Sequence, residues 1–245
     1  MDNLILSEVK QNVLFITLNR LDKKNALTTS MYEQLCQLFI QATNDDSIHC
    51  VLIKGSEECF SAGNDLADFL AVEQDEDFVA FQFVQSLASF SKPLVAAVAG
   101  PAVGIGTTLL LHCDMAFTAD NATFKLPFAQ LGLCPEAGSS ALLPLRVGHN
   151  KAFELLVLGE SFDAAQALAL GIVNKVCSPH ELLPLAEKTA YAIAKLPTEA
   201  VMASRRLMKN TTHIVHQALN DEKDAFSHLL QSEDCKNILN QFFRK

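Results

Sequence analysis

Pro93-Leu-Val-Ala-Ala-Val-Ala-Gly100-Pro101-Ala-Val-Gly104-Ile105-Gly106-Thr-Thr-Leu-Leu-Leu111 is uncharged, mostly apolar and long enough to cross a bilayer as one helix. Its interior argues for another structure. Pro101 and the glycines at 100, 104 and 106 would break a spanning helix at its centre. A buried strand over 94–98, a turn, and a buried helix from about Ile105 use the same residues well. The N–H groups that open such a helix have no intrahelical partner and lie at the positive end of its dipole. A dinucleotide fingerprint is rejected, because Gly104-Ile105-Gly106-Thr107-Thr108-Leu109 lacks the third glycine of G-x-G-x-x-G.

Two further turns share this character. One is Phe60-Ser61-Ala62-Gly63-Asn64-Asp65-Leu66, about forty residues upstream; the other is Pro135-Glu136-Ala137-Gly138. Glycine in the first lets backbone approach a ligand closely. Together the three turns supply two backbone N–H groups able to converge on one oxygen and one carboxylate placed as a base, which is what enolate chemistry on a thioester needs. Each turn alone also has an ordinary reading. Residues 62–66 can be a plain turn with Asp65 as an N-cap, and Glu136 a solvated first-turn carboxylate favoured by the helix dipole. The apolar stretch before Glu136 predicts partial burial, which raises a carboxyl pKa.

Around these turns the chain reads as a mixed α/β protein. Residues 4–10 and 13–18 have the content of a hairpin joined at Gln11-Asn12. Thr28 or Thr29 caps an amphipathic helix over 30–43 that repeats Met31, Leu35, Leu38 and Phe39 on one face. A short buried strand over 50–53 closes at Lys54-Gly55-Ser56, and helical spacing over 65–90 is interrupted by a solvated acidic loop at 73–77. Strands follow at 115–117 and 122–124. This strand, strand, helix rhythm predicts a coiled β/α core in place of a single doubly wound sheet. Beyond Gly138, helices are expected over 137–146, 151–158 and 164–170, the last capped by Ser161 or Asp163 and stopped by Gly171. Another lies over 181–195, between Ser178-Pro179 and Leu196-Pro197. The amphipathic remainder offers Val201, Leu207, Val215, Leu219, Phe226, Leu229 and Leu230 for packing.

The 245 residues are 49% hydrophobic and 19% charged, which suits a globular enzyme with a sizeable core. A net charge of -9 argues against a broad nucleic-acid surface, though a few local cations can still hold an anionic ligand. Seven cysteines, odd in number and without a Cys-x-x-Cys pair, indicate neither a disulfide framework nor a zinc site. They read as reduced thiols of a cytoplasmic protein, and neither the first residues nor Phe242-Phe243-Arg244-Lys245 look like a targeting signal. His213 and His216, at i,i+3, read as surface chemistry, and Cys134 as a small buried hydrophobe. No G-x-S-x-G elbow offers a nucleophilic serine, and Ser139-Ser140 simply start a helix.

The three turns in this order resemble the crotonase (enoyl-CoA hydratase/isomerase) superfamily, from Asn19-Arg20 through Leu158-Gly159 and Ala169-Leu170-Gly171, thinning in the C-terminal helices. The stretch Leu126-Pro-Phe-Ala-Gln-Leu-Gly-Leu-Cys-Pro-Glu136 is similar to the Δ3,Δ2-enoyl-CoA isomerase branch. The resemblance implies a spiral of ββα units over 1–195 and a helical trimerisation region over 196–245, hence a homotrimer or a dimer of trimers. It implies the backbone N–H groups of Asn64 and Ile105 as oxyanion donors, Glu136 as the base, and an acyl-CoA path lined by Ala62, Gly63, Asn64, Asp65, Leu66, Gly104 and Phe128. Lys23 and Lys24 are phosphate contacts or part of a solvated turn, and Leu21 stands where the family commonly has proline. Hydratases carry two glutamates that activate and orient water; the matching positions are Thr108 and Phe128, neither of which can act as a base. The implied reaction moves a 3,4 double bond of an unsaturated acyl-CoA to the 2,3 position, with no metal or redox cofactor and with coenzyme A as part of the substrate. A specialised hydratase and a non-catalytic acyl-CoA-binding protein of the same fold are the alternatives.

Overall fold

The computed structural model describes residues 3–71, 78–209 and 212–242, so the acidic run at 73–77 and the last three residues lie outside it. β1 (Ile5–Lys10) and β2 (Val13–Leu18) form the expected hairpin. Gln11 and Asn12 take left-handed φ values of 48° and 64°, as a two-residue turn matched to strand twist requires. α1 (Thr29–Asn44) follows, its cap Thr28 accepting the Met31 N–H. Next come β3 (Cys50–Lys54), α2 (Leu66–Ala71), α3 (Val79–Ser89), β4 (Leu94–Val98) and β5 (Pro101–Val103). The helix expected after Gly104 is brief: α4 (Ile105–Thr108) passes directly into a 3-10 turn, Leu109–Leu111. The chain continues through β6 (Met115–Ala119), β7 (Thr123–Lys125), α5 (Ser139–Val147) and α6 (His149–Phe153), which runs on as a π turn to Leu158. Then come β8 (Phe162–Asp163), α7 (Ala164–Ala169), capped by Asp163 and not by Ser161, and β9 (Lys175–Cys177). The helices α8 (Pro179–Ala194), α9 (Thr198–Met208), α10 (Thr212–Leu230) and α11 (Glu233–Phe242) complete the described chain.

A six-stranded sheet has the order β1-β2-β3-β4-β6-β9, parallel from β2 onward. Alternate residues face opposite sides. Leu14, Ile16, Val51, Ile53, Ala96 and Val98 join the main core with α1 and α3, while Phe15, Leu52, Val95, Ala97 and Phe117 pack on Leu182, Ala186, Ala190 and Ala194 of α8. Burial on both faces explains why these strands read as continuous apolar runs.

After β2, β3, β4 and β6 the chain adds a short extended stretch to a second row. Leu27 pairs with Asn64, Ser61 with Ala102 and β5 with β7, all in parallel, and β8 closes the row antiparallel to β7. This is the predicted ββα spiral. Its second row is built from stretches of two or three residues, too short to carry a periodic signal, so the sequence does not reveal β5 and β8, and the three-residue β9 at the edge of the long sheet escapes for the same reason. The apolar run that could have crossed a bilayer is divided among β4, β5, α4 and the 3-10 turn. Among the described residues no helix is long and apolar enough to span a membrane.

The C-terminal helices are anchored to this core. Arg205 of α9, 7% exposed, donates from Nε to both Asp114 oxygens at 2.9 and 2.8 Å and from Nη1 to the Phe90 carbonyl at 2.6 Å. On α10, Val215, Leu219, Phe226 and Leu230 are buried in the main core, whereas Leu207 of α9 is exposed.

Candidate active site

Two glycine turns lie side by side because of the parallel second row. Ser61 bridges Ala102 through Ser61 N–H to the Pro101 carbonyl at 3.0 Å and Val103 N–H to the Ser61 carbonyl at 2.9 Å. Three residues further along each stretch stand Asn64 and Ile105. The bridge to Leu27 uses the Gly63 carbonyl and the Asp65 N–H, leaving the Asn64 N–H outside the ladder. Ile105 opens α4, so its N–H has no carbonyl one turn back to bond. Gly63, at φ +92°, could not be another residue, since a Cβ would stand 2.8 Å from the Val103 carbonyl oxygen. Gly104 is required by its φ of +53° alone, and the space above it is open.

Side chains brace the first loop. Asn25, fully buried, accepts from Arg20 N–H at 2.7 Å and donates to the Phe60 carbonyl at 3.0 Å, and Arg20 pairs with Asp65 at 2.6 Å. The Asn64 carboxamide oxygen accepts from the hydroxyl of Tyr32 on α1. Burial pushes the Tyr32 phenol well up, with the charge of Glu136 adding to it, so Tyr32 stays a donor.

Glu136 sits on the third turn, 6% exposed. Its Oε1 accepts from the Thr108 hydroxyl at 2.6 Å, and Thr108 lies one helical turn beyond Ile105. Burial pushes the Glu136 carboxyl up to about 8; the Thr108 hydrogen bond opposes this and the nearby carboxylate of Glu222 adds to it. The turn itself is left-handed at Ala137 (φ 57°) and Gly138 (φ 68°). It is held from both sides. His112 Nε2 lies 2.7 Å from the Ala137 carbonyl, and burial pushes this imidazole down to about 4, so neutral His112 carries its proton on Nε2 and donates. From α10, Glu222 accepts the Gly138 N–H at 2.6 Å and the Ser140 N–H at 2.9 Å.

A cavity of about 380 Å³, mouth included, opens between the first two turns and the apolar side chains of Val103, Pro127, Leu131, Leu133 and Phe226. Ala62, Gly63, Asn64, Leu66, Gly104 and Phe128, six of the residues expected along the acyl-CoA path, line it. Ile105, next in sequence to the lining Gly104, and Glu136 are buried and outside the lining itself. Asp65 is engaged by Arg20 and by the Ala67 N–H, outside the lining. Lys24 is exposed, and its carbonyl accepts from the N–H of the lining residue Ala62 at 2.8 Å. Cys134 is partly buried, with its thiol pushed up to about 11, so it stays protonated near neutrality.

Tyr32, His112 and Glu222 were not singled out from the sequence. Glu222 did carry a signal: it falls on the buried stripe Val215, Leu219, Phe226, Leu230, where a carboxylate is out of place without a partner.

Residues 8–245 match the family model described as enoyl-CoA hydratase/isomerase. The chain is 35% identical to enoyl-CoA delta isomerase 2 of Rattus norvegicus over 97% of its own length and 63% of the relative's, so it spans about three fifths of that protein. It is 34% identical to 2,3-dehydroadipyl-CoA hydratase of Escherichia coli over 100% of itself and 97% of the relative. The crystal structure of an enoyl-CoA hydratase/isomerase from Pseudoalteromonas atlantica superposes with a TM-score of 0.94 at 36% identity, covering 99% of this chain and 97% of that one.

Proposed function

The chain belongs to the enoyl-CoA hydratase/isomerase family, and on that premise we propose that it is a Δ3,Δ2-enoyl-CoA isomerase acting on unsaturated fatty acyl-CoA. Overall identity does not separate isomerase from hydratase, since the rat isomerase and the bacterial hydratase are 35% and 34% identical to it. The isomerase reading is supported by the carboxylate pattern of the site. Of the three positions matched to catalytic carboxylates, only 136 carries one; 108 is a threonine bonded to it and 128 a phenylalanine on the cavity wall.

In this reading the thioester oxygen lies between the N–H groups of Asn64 and Ile105. Glu136 removes a proton from carbon 2, the electron pair delocalises to a dienolate with its charge on the thioester oxygen, and Glu136 returns the proton at carbon 4. A carboxyl raised to about 8 is basic enough to take the carbon-bound proton and acidic enough to return it. The apolar lining keeps out the water that hydration would add. Coenzyme A is part of the substrate, the exposed Lys24, whose backbone carbonyl holds Ala62, is the proposed contact for its phosphates, and the proposed reaction needs no metal or redox group. We further propose that residues 196–245 help assemble a homotrimer or a dimer of trimers. The exposure of Leu207 (75%) and Met208 (76%) on α9 supports this; light scattering measures it.

The deciding experiment incubates the protein separately with a 3-enoyl-CoA and a 2-enoyl-CoA. Conjugated thioester absorbance should grow from the first, with partial retention of the carbon-2 proton at carbon 4 in deuterium oxide. A 3-hydroxyacyl-CoA formed faster from the second would make the protein a hydratase, and tight binding with neither reaction a carrier.

A further inference from the structure

Glu222 is one of two buried carboxylates among the described residues, and it comes from the C-terminal helix α10. Its two oxygens accept from Gly138 and Ser140, the N–H groups that follow Glu136 into α5. Gly138 would otherwise enter that helix with unpaired donors, because its own side of the turn offers no side-chain cap. The same helix packs Val215 and Leu219 against Gly138, and one turn beyond Glu222 it brings Phe226 to the cavity wall. α10 therefore joins the base, the first turn of α5 and the acyl cavity in one rigid piece.

We propose that Glu222 is a positioning residue for Glu136: from the C-terminal helix its side chain accepts the N–H groups of Gly138 and Ser140 and so ties down the left-handed Ala137–Gly138 turn that carries Glu136. It touches neither substrate nor reacting atoms. The ionisable groups that bear on Glu136 are Glu222, Tyr32 from α1 and Cys134 from its own loop. Besides Glu136, Asp221 on its own helix and Cys134 bear on Glu222. Of the helices that pack against α10, α3 has no ionisable side chain, α5 carries Arg146, and α11 carries Glu233, Asp234, Cys235 and Lys236. Glu222 is thus the nearby group whose removal changes the charge felt by Glu136 without altering the hydrogen bond from Thr108.

This inference rests on Glu136 being the base, so its test has a readout that does not need turnover. In carboxyl-labelled protein, infrared titration follows the buried Glu136 carboxyl, assigned as the band that Glu136→Gln removes. In Glu222→Gln the midpoint should fall by on the order of one pH unit, and kcat should drop roughly tenfold with KM nearly unchanged. Glu222→Asp, which keeps the charge but shortens the reach, should hold the midpoint near the parent value while kcat stays reduced. If Glu222→Gln does not fold, the Asp variant decides, and parental kcat there overturns the proposal. An unshifted midpoint in folded Glu222→Gln overturns it as well. A parent protein without isomerase turnover would overturn the proposed activity instead, and the titration would still decide the role of Glu222.

Discussion

The two halves of the candidate site are built in opposite ways. The half proposed to hold the thioester oxygen, Gly63-Asn64 and Gly104-Ile105, consists of backbone held by neighbouring parallel stretches, and its nearest supports, Asn25, Ser61 and Ala102, belong to the same spiral turns. The base half is one side chain on a four-residue turn, braced by Thr108 and His112 from one region and by Glu222 from the far end of the chain. Backbone donors in register need only glycines and a strand pairing. A buried carboxylate needs its surroundings assembled before it has any useful basicity, so its chemistry depends on residues far apart in sequence.

That contrast is breakable. Glu136→Gln, an isosteric swap that leaves both N–H groups in place, should lower isomerisation by roughly 10³-fold or more while acyl-CoA affinity, measured by calorimetry, stays near the parent value. Gly63→Ala strikes the other half. Its Cβ meets the Val103 carbonyl at 2.8 Å, so the Asn64 N–H must shift, and kcat should fall by about 10²-fold, as when one oxyanion donor is lost. If Gly63→Ala kept full turnover, that half would not be where the charge develops.

A stability experiment sharpens the same comparison. The folded-state pKa of Glu136, about 8, lies above its ordinary value, so the native state holds a proton that the unfolded chain releases at lower pH. Stability is therefore full below about pH 4.5 for this group and falls as pH rises through about 8, by an amount on the order of a few kcal/mol. Glu136→Gln should be more resistant to urea than the parent above pH 8 and lose that advantage near pH 5. Equal denaturation midpoints at both pH values would mean that the carboxyl is not desolvated.

Smaller effects test the braces. Thr108→Val removes the hydroxyl that opposes the upward shift of Glu136, so the acid limb of kcat against pH should move to higher pH and turnover near neutrality should drop about tenfold. Ala137→Gly relieves a left-handed alanine that costs about 1–2 kcal/mol, yet loosens the base, so thermal stability should hold or rise while kcat falls only a few-fold. Together these changes would show whether the base half depends on its frame as strongly as its geometry implies.

Local patterns in the chain carried much of the architecture. Gln11-Asn12 between two β-branched runs dictates a hairpin, and Pro101 with Gly100 and Gly104 forbids a continuous helix through the longest apolar run. Gly63 and Gly104 mark the backbone turns because only glycine tolerates their conformations, and Glu136 stands out as a carboxylate between an apolar stretch and a helix start. These are short-range steric and hydrophobic facts, and they survive without knowledge of what lies opposite. Tertiary structure alone decided the rest. The second row of strands is too short to have a period, and the pairing of Asp65 with Arg20, 45 residues apart, has no local signal. Whether the Glu136 carboxyl is solvated or pushed up to about 8 depended first on its burial in the packed site, with Thr108, 28 residues away, opposing the rise and Glu222 of the C-terminal helix adding to it. Desolvation and charge act through space, so a pKa belongs to the packed site and no residue carries it in the sequence.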